Sequence, residues 1–467
     1  MNLDTWSDNL IKDSFMGKIV GACRDKPLLD CADWHKQLSV IGSIILQFLI
    51  YALFTSLILP QFSDDRFGVG IIILFCIFFF LLTVMFMPTY KVTFNFLDFL
   101  VFILLFILII STFSSYFFRE SASGLLKYIL FFSWYFIARM SLLNFPSKAL
   151  NNFWLFIFFL AVIVSLIGIY QYCVGVEPLA TWEDPESEDI HTRVYSTLGN
   201  PNLLGGYLLL VLPIGIGLLF SPVAGCSVGT YCSKPLQVCG IILIFLCLIF
   251  TGSRGAYLGL FFLVLISGFV LGTYFFKKEP KINKKRLLIT LILVLAGIGL
   301  LTLYLFPMIQ ERLLTIFTLR EHSSNNYRVN VWLSSLKMLK DNWLFGIGPG
   351  NSTFKEAYGV YMVSGFDALA SYNIFLDIAV EGGIFALVPF VLIILVSFLK
   401  LHRLFWVNGS FFSFWLFLAL SAILVHGMVD TVFFRPQIFI LFWFLLASIG
   451  KLEDEYTTKD ERSHIEA

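Results

Sequence analysis

Between Leu38 and Gly450 the chain returns again and again to stretches of about twenty mostly apolar residues, the length that a bilayer's hydrocarbon core demands of a helix. Lipid offers backbone N–H and C=O groups no partner. Each such stretch must therefore satisfy its own hydrogen bonds, and helices are the element that does so. The stretches fall at 38–59, 67–87, 95–113, 124–144, 151–174, 202–220, 235–251, 255–276, 287–306, 373–399, 411–432 and 435–450. Composition agrees, with 58% hydrophobic and only 13% charged residues, far from the balance of a soluble domain. The expected fold class is all-α: a polytopic helical membrane protein of about 12 transmembrane helices, with a large external loop that contains an amphipathic helix.

A net charge of +1 excludes a general attraction to nucleic acid, so the placement of charge carries more than its sum. The connection KKEPKINKKRLL brings together Lys277, Lys278, Lys281, Lys284, Lys285 and Arg286, and the positive-inside rule assigns it to the cytoplasmic side. That choice orients the rest. Residues 1–37 become a cytoplasmic segment, 38–306 the first nine spans, 307–372 a large external loop, 373–450 the last three spans and 451–467 a cytoplasmic tail. The acidic loop WEDPESEDIHTR and the turn SDDR then face outward, in a multi-pass protein of the inner, cytoplasmic membrane. The first apolar run starts about 37 residues in and is long enough to stay as a signal-anchor. Eight cysteines show no metal-ligand spacing, so no metal and no cofactor is expected, and Cys226, Cys232 and Cys239 read as reduced structural thiols. The 53 phenylalanines read as lipid-facing filler.

Three polar regions at the expected outer face interrupt this pattern. In RVYSTLGNPNLLGGYL, Arg193 precedes an Asn-Pro turn, and Asn202 is placed to cap the sixth span; a helix N-terminus beside a guanidinium suits an anion, and a capped end with a snorkelling arginine suits the same residues. In TGSRGAY, Arg254 is confined to a turn of almost no length between two spans, where it can meet a phosphate, a carboxylate or the carbonyls of two helix ends. In NNYRVNVWLSSLKMLKDN, Val331, Trp332, Leu336 and Leu339 define an apolar face for a helix on the membrane surface. Asn325 or Asn326 is placed to cap that helix, and Arg328 in its first turn opposes the macrodipole unless an anion joins it. The string GIGPGN that follows has no strand before it and is not read as a nucleotide site.

Ionisable residues inside spans are costly and mark functional candidates. Asp377 and Glu381 lie four apart on one face of the tenth span, and His426 and Asp430 do the same shortly before Arg435. A direct chemical role and a simple intrahelical His–Asp hydrogen bond are both compatible with the second pair.

TGSRGAY, YRVNVWLSSLKMLKDNWLFGIGPGN and YNIFLDIAVEGGIFAL, in this order and spacing, resemble the O-antigen ligase-like membrane superfamily. Within it, GVEPLATW, RVYSTLGNPNLL, SSNNYRVNVWL, GIGPGN and HGMVDTVFFRP are similar to the cyanobacterial IctB-type proteins, a family named for inorganic-carbon transport. The superfamily resemblance implies an outward-facing cavity where arginines hold the pyrophosphate of a polyprenyl-linked glycan while a histidine assists the acceptor hydroxyl. Arg254 falls on the arginine of the short-turn motif. Asn373, Leu376, Glu381 and Gly383 match HNxxLxxxxExG, with Tyr372 where that pattern has histidine. A phenol with a pKa near 10 is a poor base at neutral pH.

The expected function is thus inorganic-carbon (bicarbonate) transport or accumulation on a ligase-like scaffold, with glycan transfer from a polyprenyl-diphosphate donor as the alternative; whether the chain is an enzyme stays open. Arg193, Arg254 and Arg328 are the anion-binding candidates. Tyr372, Glu381, His426 and Asp430 are the catalytic ones, supported by Asn373, Asp377 and Arg435. Expected partners are membrane lipid and bicarbonate or the lipid-linked glycan, which are alike oxyanion ligands for guanidinium.

Overall fold

The computed structural model describes residues 31–59, 68–86, 90–176, 193–220, 230–278, 323–362 and 367–466. The apolar stretch at 287–306, the acidic loop up to Thr192, the SDDR turn and the basic connection from Lys281 to Arg286 lie outside these residues, as do Cys23 and Cys226. Among the described residues there are thirteen α-helices and no strand: α1 Cys31–Ser56, α2 Gly68–Phe86, α3 Phe96–Ser114, α4 Phe118–Asn144, α5 Lys148–Val174, α6 Pro201–Phe220, α7 Thr230–Phe250, α8 Arg254–Lys278, α9 Ser323–Asp341, α10 Asn351–Tyr361, α11 Ile374–Trp406, α12 Phe411–Gly427 and α13 Pro436–Glu466. By length and composition α3, α4, α5, α6, α8, α11 and α13 can each cross a membrane, and α1, α2, α7 and α12 carry shorter apolar stretches. The protein is a polytopic helical membrane protein.

Two compact units divide the chain, Met1–Gln47 with Phe78–Tyr90, and Phe48–Ile77 with Lys91–Ala467. In the first, Gly42 permits close packing on Thr83, whose Oγ1 a Cβ would meet at 2.7 Å. The second unit is built around α6 and α13, whose most apolar stretches are 83% and 89% buried, against 33% for α8. α6 packs on α12, α13 on α4, and α3 on α11. The core of α13 is aromatic: Phe439, Phe442, Trp443 and Phe444 are buried and ring-packed. Trp134 donates its indole N–H to the Ile440 carbonyl at 3.1 Å, which satisfies the polar end of a large buried ring. Phenylalanine is therefore core material here as well as lipid-facing filler; Phe54, Phe132, Phe153 and Phe158 are buried while Phe48, Phe106 and Phe261 are exposed.

The helix ends follow local chemistry. Asn95 and Asp98 form a reciprocal capping box at the start of α3, with bonds of 3.0 and 2.7 Å. Asp98 also accepts from Tyr135 at 2.7 Å and pairs with Arg139 at 3.0 Å, a buried ion pair between the start of α3 and the later turns of α4. Removing either partner would strand a charge in the bundle, which is why such pairs come complete.

Several ends differ from the hydropathy pattern. α12 stops at Gly427 rather than running to 432, because the chain turns at Met428 and Val429 although both are apolar. α9 already begins at Ser323, so Asn325 and Asn326 are inside the helix rather than caps and Arg328 is in the second turn. Its buried face is Val331, Ser334, Ser335 and Met338, packed on α10 and α11, while Leu336 is 53% exposed. Small serines allow that close approach; of the expected face Val331, Trp332, Leu336 and Leu339, Val331 is in the buried face and Leu339 packs against it, while Leu336 points away.

Candidate functional site

The segment that leads into α6 is shaped by Gln171 near the end of α5. Its Oε1 accepts the N–H groups of Tyr195 (3.2 Å) and Ser196 (2.7 Å), while Ser196 donates its hydroxyl to the Val164 carbonyl at 2.6 Å. Arg193 is thereby held beside the α7–α8 turn, where its Nε donates to the Thr251 carbonyl at 3.1 Å. Gly252, at φ +58°, supplies the left-handed backbone of this turn, and Arg193 packs over it.

The cap of α6 is Asn200, not Asn202. Asn200 Oδ1 accepts from the N–H groups of Asn202 (2.8 Å) and Leu203 (3.1 Å), and Pro201 takes the first helical position, where a missing N–H costs nothing. The Asn202 side chain is released for another task. Its Oδ1 accepts from Arg193 Nη2 at 2.7 Å and its Nδ2 donates to Asp430 Oδ2 at 2.8 Å. The same Asp430 oxygen receives Arg328 Nη2 at 3.2 Å. One amide and one carboxylate thus join guanidiniums from two distant segments into a single chain of bonds.

Asp430 lies in the turn after α12, so the expected pairing with His426 across one helical turn does not form. His426 is fully buried and neither ring nitrogen has a hydrogen-bond partner among the described residues. It is wedged between helices: a Cβ on Gly206 of α6 would lie 2.9 Å from Nδ1, and one on Gly255 of α8 would lie 2.4 Å from Cδ2. Arg254, half-buried, opens α8 between Gly252 and Gly255 and so stands at the seam of Arg193 and His426.

Tyr372 closes the other side. Arg328's guanidinium carbon is 5.6 Å from the centre of its ring, and Tyr327 meets the same ring edge-on at 5.7 Å. Burial holds the Tyr372 phenol above its ordinary value of 10; Asp430 adds to that, against a hydrogen bond with Tyr327 and the charges of Arg328 and Arg435. Its backbone is left-handed, φ +57°, an uncommon state for a non-glycine residue. Neighbouring bonds enforce it. Asp377 accepts the Ser371 N–H, Asn373 Oδ1 caps α11 by accepting from Phe375 (3.0 Å) and Leu376 (3.1 Å), and Asn373 Nδ2 donates to the Met428 carbonyl at 3.1 Å.

Glu381 stands apart from this cluster. Tyr128 donates its hydroxyl to Oε2 at 2.5 Å and Gly350 donates its N–H to Oε1 at 3.0 Å. The Glu381 carbonyl accepts from Ser111 Oγ (2.7 Å) and from the Gly348 N–H (3.0 Å). The GIGPGN turn is docked by its backbone onto α11, with Ile347 N–H on the Val380 carbonyl at 2.9 Å and Ile384 N–H on the Trp343 carbonyl at 2.8 Å. Gly383, at φ +67°, bends α11 to receive it.

Of the sequence candidates, Arg193, Arg328, Asp430 and Tyr372 come together, and Arg435, exposed, acts on the same phenol. Arg254 and His426 adjoin them through glycines, Asn373 and Asp377 shape the Tyr372 turn, and Glu381 supports the glycine-rich turn. Asn202 and Gln171 are the site residues that sequence reasoning missed. Arginines thus outnumber carboxylates around Asp430, an arrangement suited to a phosphate, diphosphate or bicarbonate. Residues 239–391, about a third of the chain, match the family model described as O-antigen ligase, a stretch that includes Arg254, Arg328, Tyr372 and Glu381. No curated protein matches the chain. The match supports an O-antigen ligase-like scaffold within a multi-pass membrane protein.

Proposed function

We propose that the Arg193–Asn202–Asp430–Arg328 chain, with Arg254 and Arg435 beside it, binds the diphosphate of a polyprenyl-linked glycan at the external end of the bundle, and that the protein acts in glycan transfer. The supporting observation is that one carboxylate, Asp430, gathers a guanidinium-bearing segment that precedes the matched region, Arg193 through Asn202, and one within it, Arg328. In such a transfer an acceptor hydroxyl oxygen bonds to the anomeric carbon as the bond from that carbon to the diphosphate breaks. The electron pair leaves on the diphosphate, where the guanidiniums act on charge as it develops. Tyr372 keeps its proton at neutral pH, so Asp430 is the group in the cluster suited to receive the hydroxyl proton.

Titrating the purified protein with undecaprenyl diphosphate tests this reading. Loss of the Arg328 contact should weaken binding by about tenfold or more in Arg328→Ala, the value of a charge-assisted hydrogen bond. Affinity unchanged in that variant removes the diphosphate from this place.

A second reading, inorganic-carbon accumulation of the IctB type, is favoured by Tyr372 in the histidine position, since a buried phenol suits anion binding better than base catalysis. It predicts entry of labelled bicarbonate into proteoliposomes above that of empty vesicles, reduced in Arg254→Ala. Uptake no greater than in empty vesicles would exclude it.

A further inference from the structure

A narrow cleft separate from the arginine cluster is lined by Lys127 and Tyr128 of α4, Gly350 at the head of α10, Glu381 of α11, and Phe434 and Phe439. It combines three chemistries. The Glu381 side chain, in a residue only 8% exposed, faces it with one donor on each oxygen, which leaves about two of its four lone-pair positions for a further donor. Lys127 is exposed and close enough for its charge to act on Glu381. Phe434 and Phe439 add an apolar wall.

The depth of the cleft is fixed by α11. Between Gly383 and Lys400 that helix carries no charged residue, a rise of about 25 Å, close to the thickness of the hydrocarbon core. Glu381 lies two residues before Gly383 and about two turns into α11, near one end of the candidate span Ile374–Trp406. Trp343, whose carbonyl accepts the Ile384 N–H, is 57% exposed at the same level, as interfacial tryptophans are. Lys127 can reach that level by snorkelling.

We propose that this cleft is a binding site for a phosphoethanolamine lipid headgroup: the ammonium donates to Glu381, the adjacent phosphate pairs with Lys127, and the start of an acyl chain follows Phe434 and Phe439. A primary ammonium can fill the open lone pairs, whereas a choline headgroup has no N–H to give. An anionic headgroup without an amine meets Glu381 as a like charge. The site uses none of the arginine cluster and does not depend on the glycan reading.

Native mass spectrometry of the delipidated full-length protein, offered palmitoyl-oleoyl phosphatidylethanolamine, phosphatidylcholine and phosphatidylglycerol in equal amounts, tests the proposal. One phosphatidylethanolamine should be retained with about tenfold preference over the other two, as expected for a hydrogen bond between charged groups. The preference should vanish in Glu381→Gln, whereas in Lys127→Ala, whose side chain is exposed, retention of phosphatidylethanolamine should fall about tenfold with its preference over phosphatidylcholine kept, since both lipids carry the phosphate. Equal retention of phosphatidylethanolamine and phosphatidylcholine overturns the site, because Lys127 and Glu381 then serve only each other. Retention of phosphatidylethanolamine unchanged in Lys127→Ala overturns it whether or not Glu381→Gln folds. So does a preference lost in Arg328→Ala, which would assign the lipid to the arginine cluster.

Discussion

Tyr372 shows how much one side chain depends on neighbours that a linear reading cannot see. Burial raises its phenol and that of Tyr327 above the ordinary value near 10, so both are protonated in the folded protein at pH values where an unfolded chain has begun to lose those protons. Their contribution is complete below about pH 10 and declines as pH rises towards the folded values. Thermal unfolding in detergent should therefore fall away above about pH 10, and more shallowly in Tyr327→Phe and Tyr372→Phe; identical alkaline profiles for the three proteins would refute the assignment. The arginines and Asp430 could be singled out from sequence because charge beside lipid is expensive and needs a reason. Asn202 could not be, since an amide that caps a helix and an amide that bridges two charges have the same sequence signature two residues apart. His426 and Asp430 have helical spacing, yet the helix ends between them.

Among the elements, α11 carries the most architecture. Its bend at Gly383 admits the GIGPGN turn, and a Cβ at that position would lie 2.0 Å from the Leu344 carbonyl oxygen in a conformation that L side chains rarely adopt. Gly383→Ala should abolish docking of the turn: the backbone conformation alone costs about 1–2 kcal/mol and the collision adds to it. Limited proteolysis should then cut within 343–350 in the variant and not in the parent, and equal resistance would show that the bend is dispensable. Among the described residues the apolar helices were readable from apolar runs in existence and approximate position, whereas their ends, and the existence of α10, were not. Met428 and Val429 continue the apolar run of α12 although the chain has turned, and the serines of α9 form its packed face because they are small, not because they are apolar. A glycine-rich string says only that backbone comes close to something; here that something is α4 and α11.

At the scale of the molecule, the class of fold follows from the bilayer's requirement that backbone bonds close on themselves, and it needed little more than run length and composition. Orientation is a separate matter that charge bias alone supplies. Cys173, exposed near the end of α5 that holds the Arg193 segment through Gln171, is a native reporter for it. In a variant with the other cysteines replaced by serine, a membrane-impermeant maleimide should label Cys173 in intact cells; labelling only after permeabilisation would reverse the topology. Glu381 has a consequence of another kind. Its partners Ser111 and Tyr128 are made early and Gly348 and Gly350 much later, but all of them wait for residue 381 itself. A chain delivered to the bilayer from its N-terminus can therefore dock the GIGPGN turn on α4 but cannot complete its bonds to α11 until residue 381 emerges from the ribosome. The arginine chain closes later still, at Asp430, so a nascent chain stalled short of that glutamate has its early helices in place and neither site.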